Sequence, residues 1–167
     1  PTAVAVHALF STKTKPGDTI AVIGLGAIGL LLTHLALSLG YRVFVSELNA
    51  AKLKTATDLG ATSVSPTGDL EAQTTELSKI WLENNVSAVF ECAGSAHTAS
   101  LATAAAPRGS EIVLVGLSGN LATFTPLKIA REGIQIVPSI IYDHPFDFAR
   151  ALQLIRSKII HPSFIIS

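Results

Sequence analysis

The run TIAVIGLGAIG, Thr19–Gly29, stands between the breaker cluster Lys15-Pro16-Gly17-Asp18 and a long apolar segment. Thr19 to Ile23 is short, apolar and rich in β-branched residues, as a buried strand requires. It stops at Gly24-Leu25-Gly26-Ala27-Ile28-Gly29, a G-x-G-x-x-G, and Leu30 to Leu37 continues with the composition of a helix. A second strand is expected over Arg42–Ser46, and Glu47 follows it, 18 residues past Gly29. Gly24 lets the chain turn off the strand, Gly26 lets a phosphate approach the backbone, and Gly29 lets the helix lie close on the sheet. The helix start offers unpaired N–H groups and partial positive charge to a diphosphate. Glu47 lies near the spacing at which a carboxylate accepts hydrogen bonds from a ribose. A glycine turn that merely packs helix on strand needs no such acid. The stretch therefore points to dinucleotide binding.

Bulk composition narrows the rest. A chain of 167 residues is one domain with room for a proper core. Net charge is zero and 14% of residues are charged, which leaves no electrostatic footprint for nucleic acid or an anionic membrane. Hydrophobic content is 49% with few aromatics, the composition of a parallel sheet covered on both faces. The longest apolar stretch, Ile20 to Leu32, holds three glycines and divides into strand, turn and helix, so no membrane span is expected. No secretory signal pattern opens the chain. The single cysteine, Cys92, excludes an internal disulfide and fits a reducing compartment, so a cytoplasmic setting is expected. There is no methionine, which suggests a piece of a longer protein.

In chain order, Thr2–Thr12 reads as a helix carrying His7, whose expected role is packing or solvation. Asn49 is placed to cap a helix over Ala50–Leu59, closed by Gly60. Lys52, in its first turn, either reaches the ribose or an adjacent phosphate or is simply solvated. A third strand is expected over Thr62–Ser65, then a turn at Pro66-Thr67-Gly68 and a helix capped by Asp69, with Trp81 in the core. Strand four is Ser87–Glu91, leading into Cys92-Ala93-Gly94. A helix follows over Ser95–Ala106, and strand five is Glu111–Val115, ending at Gly116. Strand six is Ile134–Val137, the last helix starts at Pro145, and the tail His161–Ile166 is expected to be extended. Strands alternating with helices predict an α/β Rossmann fold, a doubly wound six-stranded parallel sheet in three α/β/α layers, in the order 3-2-1-4-5-6. Ligands in such sheets lie at the carboxyl ends of the strands.

With these motifs in order, the chain resembles the coenzyme-binding domain of medium-chain, zinc-type alcohol dehydrogenases. The segments carrying the resemblance are KPGDTIAVIGLGAIGLLLTHLALSLGYRVFVSELNAAKLKTATDLGAT, VSAVFECAGS, RGSEIVLVGL and ALQLIRSKIIHPSFIIS, which together span nearly the whole chain. The branch it is most similar to is that of polyol and threonine dehydrogenases. Gly24 fits the zinc-type enzymes, since quinone-reductase relatives usually carry alanine there. The resemblance implies that Gly24, Gly26, Ala27, Ile28 and Gly29 hold the pyrophosphate and Glu47 the ribose, with Lys52 at the adenosine end. It places Cys92, Ala93 and Gly94 beside the adenine side, and Gly116, Leu117, Ser139 and Ile140 near the nicotinamide. A carboxylate at Glu47 favours NAD, because it repels a 2′-phosphate.

In the family, zinc polarises an alcohol oxygen from a separate catalytic domain. This chain has one cysteine and scattered histidines (His7, His34, His97, His144, His161), so no metal and no catalytic residue is expected in it. The resemblance thus implies the coenzyme half of a two-domain NAD-dependent oxidoreductase acting on an alcohol or polyol. It also implies homo-oligomers pairing near Ile134–Ser139, where Ile136, Val137, Ile140 and Ile141 suit a covered edge. Two other readings remain: a regulatory dinucleotide-sensing module without catalysis, and a zinc-free medium-chain NADPH reductase. A short-chain dehydrogenase is excluded, since neither Tyr41 nor Tyr142 is followed by lysine four residues on.

Overall fold

Strand β1 (Thr19–Ile23) is buried at every position and lies inside a six-stranded sheet. This arrangement comes from a computed structural model that describes residues 1–165, with the side chains described as far as 163. On one side β1 pairs with β2 (Arg42–Ser46), which pairs with β3 (Thr62–Ser63). On the other it pairs with β4 (Val86–Glu91), followed by β5 (Glu111–Leu114) and β6 (Gln135–Pro138). Every pairing is parallel and the order is β3-β2-β1-β4-β5-β6, the doubly wound order expected.

The period-two alternation of a strand divides β1 between two cores. Ile20 and Val22 join Val6 and Leu9 of α1 (Thr2–Phe10), Leu32 and Leu35 of α2 (Ala27–Ser38), and Leu154 of α7 (Phe146–Arg156). Ala21 and Ile23 join Leu77 and Trp81 of α4 (Leu70–Glu83) and Leu101 of α5 (Ala96–Ala105). Trp81 is 1% exposed and is core, as its helical spacing suggests. Both faces of the sheet are thus covered, which is why its strands can be apolar on both sides.

Local signals account for the helix starts. Asn49 Oδ1 accepts from the N–H groups of Ala51 and Lys52 at the head of α3 (Ala50–Asp58). Asp69 and Ser95 do the same for α4 and α5. Such caps are worth about 1 kcal/mol each.

Three expectations are corrected. The third strand was expected to run to Ser65 but ends at Ser63; the Val64 N–H still reaches the Val45 carbonyl, and Pro66 then has no N–H to extend a ladder. Helix α6 (Pro126–Glu132) was not expected, because it buries no residue and so shows no apolar face. Its signs are subtler: Pro126 in the first turn and Gly133 in the left-handed conformation after the last. The tail, expected to be extended, instead makes a 3-10 turn over Pro162–Ile165, for which the fixed φ of proline is suited. Ile166, the last residue of that expectation, lies outside the described residues. Among the described residues no helix is long and apolar enough to cross a membrane.

Candidate functional site

The glycine turn joins β1 to α2, and each glycine there has its own reason. Gly24 has φ +90°, and a Cβ on it would lie 2.6 Å from the Ala93 backbone. Its N–H donates to the Ser46 carbonyl at 2.8 Å, which ties the turn to the end of β2. A Cβ on Gly29 would run into the Gly24 carbonyl oxygen and lie 3.3 Å from Cys92 Cβ, so glycine there is what seats α2 on the sheet. Gly26 differs: its φ is −66° and a Cβ would meet nothing within 4 Å. The turn is bare above it. Gly26 is the N-cap of α2, and no side chain caps the helix, so the first-turn N–H groups of Ala27, Ile28 and Gly29 keep their donor capacity.

Glu47 closes over this turn. Its Oε2 accepts the Leu25 N–H at 2.7 Å, while Oε1 accepts those of Leu48 at 2.8 Å and Asn49 at 2.9 Å. Burial pushes the carboxyl upward, but the Asn49, Leu25 and Leu48 amides and the charge of Lys52 outweigh it, and the group sits below its ordinary value. It is therefore ionised at neutral pH. With one amide on Oε2, that oxygen keeps a lone pair for a ribose hydroxyl.

A cavity of about 590 Å³ opens between the ends of β1, β2 and β4. Gly24, Gly26, Glu47, Lys52, Cys92 and Ala93 line it together, six residues that the sequence scatters over 70 positions. Gly94, Gly116 and Leu117 form the neighbouring ledge: a Cβ on Gly94 would lie 3.1 Å from Leu117 N and O, and one on Gly116 would strike Gly94. Ser139 and Ile140 stand apart from the cavity at the end of β6. The Ser139 N–H donates to the Leu114 carbonyl, and its buried hydroxyl has no hydrogen-bond partner among the described residues. The residues fit a dinucleotide in kind: bare backbone at a helix start, an ionised acid beside it, a cavity of about 590 Å³, and a hydroxyl at the end of β6 without a partner among the described residues.

Several residues of this region were not singled out by sequence reasoning. Pro66, Gln73, His97 and Thr98 also line the cavity, and His97 Nε2 meets Gln73 Oε1 at 2.8 Å across its rim. Only tertiary structure brings α4 and α5 together there. Glu91 was placed in strand four without a role, yet it is 1% exposed directly beneath the strand-end loops. Its signal was available, since a carboxylate inside an apolar strand is rarely buried without partners.

One group of described side chains is spaced to hold a cation. His7, Asp143 and Asp147 have their ligand atoms within 4.8 Å of one another. His7 and Asp147 are already bonded to each other at 2.7 Å, a pairing that accounts for the group without an ion. His7 is thus a packing residue with a carboxylate partner.

Comparison with known proteins bears on the family and the fold. The sequence profile of the family described as zinc-binding dehydrogenase matches residues 27–157. The sorbitol dehydrogenase of Bacillus subtilis is 28% identical over 169 residues, covering 100% of this chain and 47% of its own length. The D-xylulose reductase of Saccharomyces cerevisiae is 35% identical, covering 95% of this chain and 45% of its own length. A structure described as a zinc-binding dehydrogenase from Sinorhizobium meliloti 1021, bound to NADP, superposes with a TM-score of 0.84 at 30% identity, covering 96% of this chain and 48% of that one. The chain spans about half the length of the curated relatives it matches.

Proposed function

Because the chain belongs to the zinc-binding dehydrogenase family, we propose that it is the coenzyme-binding domain of a larger NAD-dependent enzyme that oxidises an alcohol or polyol. The observation that carries this reading is Glu47, ionised and hydrogen-bonded to the Leu25 amide inside the glycine turn, on the wall of a cavity of about 590 Å³. A bound nicotinamide cofactor supplies the hydride chemistry. The chain's own residues bind and orient it. Gly26, Ala27, Ile28 and Gly29 present backbone and helix charge to the pyrophosphate. Glu47 takes the ribose hydroxyls, and Lys52 balances charge at the adenosine end. Cys92, Ala93 and Gly94 form the adenine-side wall, while Gly116, Leu117, Ser139 and Ile140 flank the nicotinamide end.

The residues do not fit the zinc that the family name implies. The one cysteine, Cys92, lies on the coenzyme loop, and burial, with the Glu91 charge behind it, pushes its thiol far up, away from the thiolate a zinc ligand must be. Zinc and catalytic groups belong, on this reading, to a second domain of the parent enzyme, a cytoplasmic protein that pairs with a second copy along the β6 edge.

A second reading keeps NADP, favoured by the NADP in the Sinorhizobium meliloti structure and by Lys52 beside Glu47. Calorimetric titration of the chain with NADH and NADPH, repeated on Glu47→Ala, decides between them. We expect NADH to bind tighter by at least about tenfold, or about 1.4 kcal/mol, and the preference to collapse in the variant. Preference for NADPH would move the assignment to the reductase, and binding of neither would overturn the dinucleotide reading.

A further inference from the structure

Glu91 is a buried carboxylate that the reading above leaves without a task. It ends β4, 1% exposed. Its Oε1 accepts the N–H groups of Ala93 and Gly94, each at 2.9 Å, and the Thr98 hydroxyl at 2.8 Å. Its main-chain oxygen accepts the N–H groups of Val115 at 3.0 Å and Gly116 at 2.8 Å. One residue therefore grips both loops. Its grip on Gly94 matters because Gly94 packs closely on the next loop, where a Cβ would lie 3.1 Å from Leu117 N and O, tighter than ordinary contact. A Cβ on Gly116 would in turn lie 2.7 Å from Glu91 Oε2. Burying a carboxylate costs several kcal/mol before its hydrogen bonds return any of it, and here they come from the amides of the β4 loop and the Thr98 hydroxyl, not from a cationic partner.

We propose that Glu91 is a positioning residue, setting the β4 loop against the β5 loop so that one dinucleotide can lie across both at once. This rests on the cofactor reading above. A ligand that spans the two loops feels any shift of one against the other, whereas one confined to the adenosine and pyrophosphate end meets only the β4 wall and loses less.

The test is titration of the chain and its Glu91→Ala and Glu91→Gln variants with NADH and with ADP. ADP, which meets only the β4 wall, is expected to lose no more than about threefold in either variant, while NADH affinity falls by at least about tenfold in Glu91→Ala. Glu91→Gln keeps an oxygen acceptor in place but not the charge, and is expected to recover part of the loss and still fall by about threefold. A purely structural role would lower melting temperature, or lower both affinities together, and leave their ratio alone. An unchanged NADH-to-ADP ratio in Glu91→Gln, which preserves the shape of the side chain if Glu91→Ala does not fold, overturns the proposal while leaving the cofactor reading intact. Failure of the unsubstituted chain to bind either nucleotide overturns both.

Discussion

The three motif glycines are alike in sequence and unlike in what they tolerate. Alanine at Gly29 must collide with the Gly24 carbonyl, and alanine at Gly24 must hold φ at +90° against the Ala93 backbone. Alanine at Gly26 meets nothing within 4 Å and an ordinary φ of −66°. Its lower unfolded-state entropy and its poorer capping are each worth less than about 1 kcal/mol and oppose each other. Gly26→Ala is therefore expected to melt within a few degrees of the parent but to lose NADH affinity by about tenfold or more, since the methyl group fills the approach to the backbone. Gly29→Ala is expected to lose about 2 kcal/mol or more of stability, in the range of overpacked cores. Thermal melts and NADH titrations on the two proteins check this. Equal melting losses for both would show that Gly26 also serves packing.

At the scale of elements, α1 and α7 are joined by a polar clasp on an otherwise apolar contact. His7 meets Asp147 at 2.7 Å, the Asp143 N–H donates to the same carboxylate at 2.9 Å, and the Arg150 guanidinium lies 4.5 Å over the Phe10 ring. Burial pushes the Asp147 carboxyl up, but the Asp143 amide, the His7 ring and the Arg150 charge reverse this and hold it below its ordinary value. The folded state thus favours the ionised form. The stabilisation is complete above the unfolded value of roughly 4 and is lost as pH falls through the lower folded value. Asp147→Asn is expected to lose about 1–3 kcal/mol at neutral pH and to show a flatter acid limb, measured by denaturant melts between pH 6 and 3. No such pair could be read beforehand, because its members lie 140 positions apart and nothing local marks them. The same division runs through the whole reading. β1, β2 and β4 were legible because burial on both faces leaves near-continuous apolar runs, and Glu47 because its distance from Gly29 is set by one helix and one strand. Helix α6 was not, because it buries nothing, and the partners of Glu91 appear only when the β4 and β5 loops meet.

At the scale of the whole molecule, the doubly wound order leaves β3 and β6 as edges, and they are protected differently. β3 has only two residues, too short to template another strand. β6 is longer and apolar: Ile136 is 38% exposed, and Ile140 and Ile141 beyond it are 77% and 64% exposed. The N–H groups of Gln135 and Ser139 point inward to β5, so by the period of two the outward positions are Ile136 and Pro138. Proline has no N–H, so within the strand this edge offers a partner only the one from Ile136. Pairing with a second copy must then draw on burial of the isoleucines more than on a backbone ladder. The chain is expected to sediment as a dimer at tens of micromolar, and Ile136→Lys as a monomer with ADP affinity unchanged, because β6 lies three strands from the glycine turn after β1 and further from Glu47. Nucleotide binding that falls together with dimerisation would instead tie the edge to the site, and a monomeric parent chain at those concentrations would remove the β6 interface from the proposal.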